Sequence, residues 1–182
     1  MGRTSGGGDR LTAARSPGRA AARHTDDERI RYWLREERRR LLAAVAGLSE
    51  AQSRQPLEAG GWSVHGILAH RLFWERQEVE ALGQHLLGQR VELLDFPSKR
   101  LDAANAAAVR TMRGMTAAAV LRDVARTRAA LLDLVGRLPA DDLNAPGNDA
   151  RTLLGVALTH DREHAAQIRA WRDSATGAAG PR

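Results

Sequence analysis

Apolar residues in this chain recur at intervals of three and four. No segment sustains the period-two alternation of a half-buried strand, so the pattern predicts helices throughout. The first set is Ile30, Trp33, Leu34, Leu41, Leu42 and Val45, opened by the capping box Thr25-Asp26-Asp27-Glu28 and closed near Gly47. A turn at Leu48-Ser49-Glu50 and a loop through Pro56 and Gly60-Gly61 lead to a second helix with Ser63 at its N-cap. Leu68, Leu72, Glu75, Val79, Leu82 and Leu86 form its stripe, Ile67, His70 and Trp74 flank that stripe, and Gly88 ends the helix. Beyond Phe96-Pro97 a shorter helical region from about Leu101 breaks at Gly114. Thr116 then starts a helix carrying Val120, Leu121, Val124, Leu131, Leu132, Leu134 and Val135 up to Gly136, and Leu138-Pro139 stops it. After a loop from Asp141 to Asp149, a last helix spans about Thr152 to Trp171. Four main helices, with an extra short helix before the third, predict an all-α four-helix bundle.

Composition narrows what such a bundle can do. The 182 residues suffice for one domain, expected over residues 25–173, with tails at 1–24 and 174–182. There is no cysteine, which excludes disulfides, thiolate zinc sites and a cysteine nucleophile; any thiol chemistry needs a thiol from outside. No apolar run reaches the roughly 18–20 residues of a membrane span, and the first residues lack a secretory apolar stretch, so no membrane partner is expected and the cytoplasm is the expected compartment. The formal charge of +6 is concentrated at the start: Arg3, Arg10, Arg15, Arg19 and Arg23 against Asp9 give +4, leaving +2 for the remainder. Residues 1–24 are rich in Gly, Ala, Ser and Arg, and are expected to form a disordered basic tail. Scattered arginines attract polyanions without reading bases, so no specific nucleic-acid partner is expected.

The candidate chemistry lies in three histidines. His160 and His164 are four apart, which puts both imidazoles on one helix face and within reach of one metal ion. Leu153, Ala157, His160, His164, Gln167 and Trp171 follow one another at intervals of four and three, so the pair is expected on the seam that the helix buries. Buried imidazoles need partners, and a bound metal is one way to satisfy them. The same string, His160-Asp161-Arg162-Glu163-His164, fits the H-x-x-E-H protease motif, but only 18 residues follow it and Asp173 is their sole acid, which leaves no downstream carboxylate run to complete such a site.

Three fragments together carry a family resemblance. Gly61-Trp62-Ser63-Val64, then Ile67-Leu68-Ala69-His70 and Trp74-Glu75, resembles the second helix of the DinB-like superfamily. Ala157 to Arg169, with His160, His164 and Gln167, is similar to that family's last helix, and Asp102-Ala103-Ala104-Asn105 resembles the start of its intervening helix. The likeness covers about Asp26 to Arg172. It implies a four-helix bundle with a mononuclear divalent metal site, zinc, nickel or another ion, held by His70, His160 and His164. It also implies frequent homodimerisation. Some relatives use a low-molecular-weight thiol such as mycothiol or bacillithiol in isomerase or S-transferase reactions, and others protect producers from reactive natural products.

The expected activity is therefore a metal-dependent enzyme that activates a thiol or water against a small electrophilic substrate, with mycothiol a candidate co-substrate. The alternative is a non-catalytic module that binds or sequesters a small molecule. Glu75 falls on an apolar stripe, where it is either a base or a hydrogen-bond support for a ligand imidazole, or else a boundary carboxylate paired with an arginine. Gln167, one turn beyond His164, either orients a ligand or packs; Asn105 is either a polar contact or part of the pocket wall. Trp62, Trp74 and Trp171 are expected to pack, and His24, His65 and His85 to face solvent.

Overall fold

The computed structural model describes residues 18–177, and the side chains between residues 28 and 174. The helices are α1 (Gly18–Val45), α2 (Glu50–Ser53), α3 (Val64–Leu86), α4 (Leu101–Met112), α5 (Ala117–Val135), α6 (Ala140–Asn144) and α7 (Asp149–Gly177). Two 3-10 turns, Glu92–Asp95 and Ser98–Arg100, occupy the connection before α4. Among the described residues there is no strand, only an isolated bridge between Pro56 and Ser63.

Local chemistry explains most of the boundaries. Ser63 and Thr116 cap α3 and α5 by accepting from Gly66 N and Ala119 N. Gly47 and Gly88 take positive φ, 78° and 66°, which lets the chain turn just after α1 and α3. Two boundaries differ from expectation. Helix α1 begins at Gly18 rather than at Thr25, because the run Arg19-Ala20-Ala21-Ala22-Arg23 favours helix and propagates it upstream. Of the expected basic tail, residues 1–17 lie outside the described residues. The expected loop from Asp141 contains α6, which follows directly on Pro139 and buries Leu143. Likewise α7 starts at Asp149 and continues past Trp171.

The four long helices pack as a ring in the order α1, α7, α3, α5, with α4 against α3 and α6 against α1 and α7. Their apolar stripes form two cores. One holds Leu41, Ile67, Leu72, Val124 and Ile168; the other holds Leu34, Leu82, Leu131, Leu154 and Ala157. Between them lies a layer of buried charge to which every long helix contributes: Arg38 from α1, Arg71, Glu75 and Glu78 from α3, Arg128 from α5, and Asp161 from α7. Three guanidinium groups thus face three carboxylates, and the layer is neutral.

Candidate metal centre and its cavity

Helices α3 and α7 carry the three expected histidines to one place. The ring centroids of His70, His160 and His164 form a near-equilateral triangle with sides of 5.4, 5.2 and 5.8 Å. Trp62 lies against His70 at 4.7 Å. Each ring has one buried nitrogen without a hydrogen-bond partner: His70 Nδ1, His160 Nδ1 and His164 Nε2. Gln167 Oε1 lies 3.2 Å from His164 Nδ1. If that nitrogen donates, the lone pair of His164 sits on Nε2, its buried unpartnered nitrogen.

Electrostatics keep the rings neutral. Burial drives the His70 pKa down to about 3, reinforced by His164, His160 and Arg71. Burial also lowers His160, to about 4, with Arg71 and His164 adding to it. His164 is lowered by burial as well, against the contact with Gln167. A neutral imidazole is the form that binds metal.

Among the described residues, no group of three or more His, Asp or Glu side chains stands so that it could hold a metal ion as placed. Two other observations bear on whether these donors suit a divalent ion. Imidazoles sharing one tetrahedral ion, with metal to nitrogen distances of about 2.0–2.1 Å, have centroids about 5 Å apart, close to the triangle here. And each ring offers an orphaned buried nitrogen, which is costly to leave unsatisfied.

A cavity of about 360 Å³ opens beside this triangle. His70, His160, Glu78 and Asn105 supply its polar lining; Trp74, Leu93, Leu94, Phe96, Leu101, Leu153 and Val156 supply apolar walls. Asn105 Oδ1 accepts from Trp74 Nε1 at 2.8 Å, which fixes the indole at the cavity edge.

The charge layer stands immediately behind. Asp161, between the two α7 histidines in sequence, is fully buried and accepts from Arg71 Nε at 2.7 Å, Arg128 Nη2 at 2.8 Å and Arg38 Nε at 2.9 Å. Burial opposes its charge, but Arg38, Arg128 and Arg71 outweigh that and hold its pKa at about 2. Glu75 belongs to the same layer: Oε2 accepts from Arg38 Nη2 at 2.6 Å, and Oε1 lies 2.6 Å from Arg128 Nε. Arg71 Nη2 reaches Glu78 Oε2 at 2.9 Å. Burial disfavours the charge of Arg71, yet Glu78, Glu75 and Asp161 together raise its pKa.

The model of the DinB superfamily matches residues 34–168 of this chain. The chain belongs to the DinB superfamily. Its fold is also that of a solved DinB-like structure, "Sibling Lethal Factor Precursor - DfsB", with a TM-score of 0.72 and 15% identity over 81% of this chain and 95% of that one. No curated protein matches the chain in sequence.

As a DinB-superfamily bundle, the chain departs from its sequence-based outline in the seam of α7. Leu153 and Ala157 are buried as expected, with Ala150 and Leu154, but beyond them the buried positions are Asp161, Ala165 and Ile168, one residue on from the histidines and Gln167. His160 and His164 are half-buried on the flank, and Gln167 is exposed. That rotation explains how His160 can reach the cavity while Asp161 takes the core position. Glu163 is exposed. His65, expected in solvent, is 3% exposed, with its Nε2 at 2.9 Å from Met115 O, because the turn before α5 covers it. His85 is part-buried against Asp142, 2.9 Å away, on α6, the helix missing from the sequence-based outline. Sequence reasoning missed Arg38, Arg71, Glu78, Arg128 and Asp161. The signal was present in Arg38 on the stripe Leu34, Leu41, Val45 and in Arg128 on the stripe Val120, Val124, Leu131, Val135.

Proposed function

We propose that this DinB-superfamily chain is a divalent-metal-dependent enzyme in which His70, His160 and His164 hold the ion and the adjoining cavity takes a small electrophilic substrate. One observation carries it: three neutral imidazoles, each with an orphaned buried nitrogen, stand with ring centroids 5.2, 5.4 and 5.8 Å apart, and two of them, His70 and His160, line a cavity large enough for a small molecule. A zinc- or nickel-type ion bound there supplies a Lewis acid able to acidify a water or an external thiol, such as mycothiol, near neutral pH.

The chain's own residues hold and orient. Gln167 fixes the tautomer of His164 by accepting from Nδ1. Asp161, clamped by three arginines, sets the rotation of α7 and with it the direction of His160 and His164. Of the roles expected for Glu75, a base needs access to substrate that a fully buried carboxylate between two arginines lacks; its place is to brace the layer that holds Asp161. Asn105 and Trp74 shape the substrate wall.

The test is metal content per chain by mass spectrometry on protein without a histidine tag, after exposure to zinc or nickel. One ion per parent chain is expected, with none in H160A/H164A or H70A while circular dichroism stays helical. Metal retained in either variant, or none in the parent, overturns the site. Turnover of small electrophiles, with and without an external thiol, then separates enzyme from sequestering module: the module saturates at one equivalent.

A further inference from the structure

The chemistry of the cavity wall says more than that a small molecule fits. Its body is apolar, with α7 and the segment joining α3 to α4 closing on Trp74. At about 360 Å³ it is at the small end of ligand pockets, which run about 300–1,000 Å³. A polyhydroxylated thiol would find few polar partners there, so the cavity belongs to the other, more apolar substrate.

The charged lining is one-sided. Although the chain has 28 arginines and lysines, none lines the cavity among the described residues. The only charged side chain there is Glu78, whose side chain is 3% exposed. Its partner Arg71 lies behind it, fully buried and committed to Asp161 as well, so it cannot turn toward a ligand. Burial pushes the Glu78 carboxyl up and Arg71 only partly offsets this, which leaves a carboxylate whose charge is under-compensated. In the metal-free cavity a ligand anion would meet that carboxylate with no cationic side chain in reach, whereas an N–H or O–H donor would meet an acceptor.

We propose that the cavity selects a largely apolar small molecule bearing one cationic or hydrogen-bond-donating group, an amine before an alcohol and an alcohol before a carboxylate, and that Glu78 receives that group. The inference rests on the metal-site reading only in assigning this molecule the role of substrate; the preference itself belongs to the metal-free cavity.

The test is calorimetric titration of the full chain at pH 7.5 with three matched probes, 1-naphthylmethylamine, 1-naphthalenemethanol and 1-naphthoate, in metal-free and zinc-loaded protein. In metal-free protein the amine is expected to bind at least about tenfold tighter than the carboxylate, with the alcohol between. Glu78→Gln should bring the amine level with the alcohol. Leu94→Lys, which leaves the buried layer untouched at an exposed wall position, should turn the preference toward naphthoate. Val156→Trp should block all three probes. Naphthoate binding as tightly as the amine, an order unchanged in both Glu78→Gln and Leu94→Lys, or amine binding indifferent to Val156→Trp each overturns the proposal. Absent zinc with the amine preference intact would remove the metal site alone; zinc taken up on loading but no preference in the metal-free protein would remove this inference alone.

Discussion

Arg71 donates from Nε to Asp161 Oδ1 at 2.7 Å, and each partner is the immediate sequence neighbour of a histidine in the triangle: Arg71 follows His70, and Asp161 follows His160. The ion pair therefore joins α3 to α7 at the level where those helices present their imidazoles. Its two other arginine contacts tie Asp161 to α1 and α5, so the separation of the histidines is fixed by a contact that includes all four long helices.

Asp161→Asn should accordingly cost both stability and metal. The variant keeps the shape of the side chain but leaves three buried guanidinium groups short of one charge, which is expected to cost about 3–5 kcal/mol in denaturant unfolding. Loosening the support of His160 should weaken zinc binding by about 10–100-fold. A variant with parental midpoint and parental zinc affinity would show that the clamp does neither.

Acid should destabilise the metal-free protein from the neutral side. In the unfolded chain the three histidines titrate near 6.5; in the fold, burial holds His70 at about 3 and His160 at about 4. Between those values the unfolded state binds more protons, so the stability present above pH 6.5 is lost progressively as pH falls toward 4. Below pH 4 the depressed Asp161 adds to the loss, because its stabilising charge is lost as pH falls toward about 2. Denaturant midpoints of chelator-treated protein at pH 7.5, 6, 5 and 4 should fall steadily, and less steeply in His70→Ala. A midpoint flat from pH 7.5 to 5 would contradict neutral buried imidazoles.

Gln167→Leu separates orientation from packing. Gln167 is exposed, so its loss should change unfolding by no more than about 0.5 kcal/mol. If its Oε1 sets the His164 tautomer, zinc affinity should still fall by about tenfold. Unchanged affinity would reduce Gln167 to a surface residue.

These expectations divide along the line between what one helix can reveal and what only the bundle can. Ser63, Thr116, Gly47 and Gly88 announce helix ends through local backbone chemistry and are legible in isolation. The histidine pair is legible because both rings are on one helix. Glu75 and Arg38 on apolar stripes are legible only as anomalies, since their partners come from helices about 40 to 120 residues away in sequence, a separation on which local pattern is silent. The placement of His160 and His164 on the α7 seam fails for the same reason. A carboxylate at Asp161 looks like the wrong residue for a core until three arginines from three other helices are set against it.

That division points to the role of Glu75. If it braces the charge layer, its removal and the removal of Arg128 should compensate each other. Glu75→Met leaves the layer with one excess positive charge and Arg128→Met with one excess negative charge; each single substitution is expected to cost about 3–5 kcal/mol. The double variant restores neutrality, with Arg38 and Arg71 facing Glu78 and Asp161. It should be less destabilised than the sum of the singles by about 2 kcal/mol or more in a double-mutant cycle. Zinc content and circular dichroism of the double variant would be those of the parent. If Glu75 instead serves as a base, the double variant would be folded and metal-loaded yet inactive on any substrate the parent turns over. Additive single costs would deny the coupling between Glu75 and Arg128, and with it the brace.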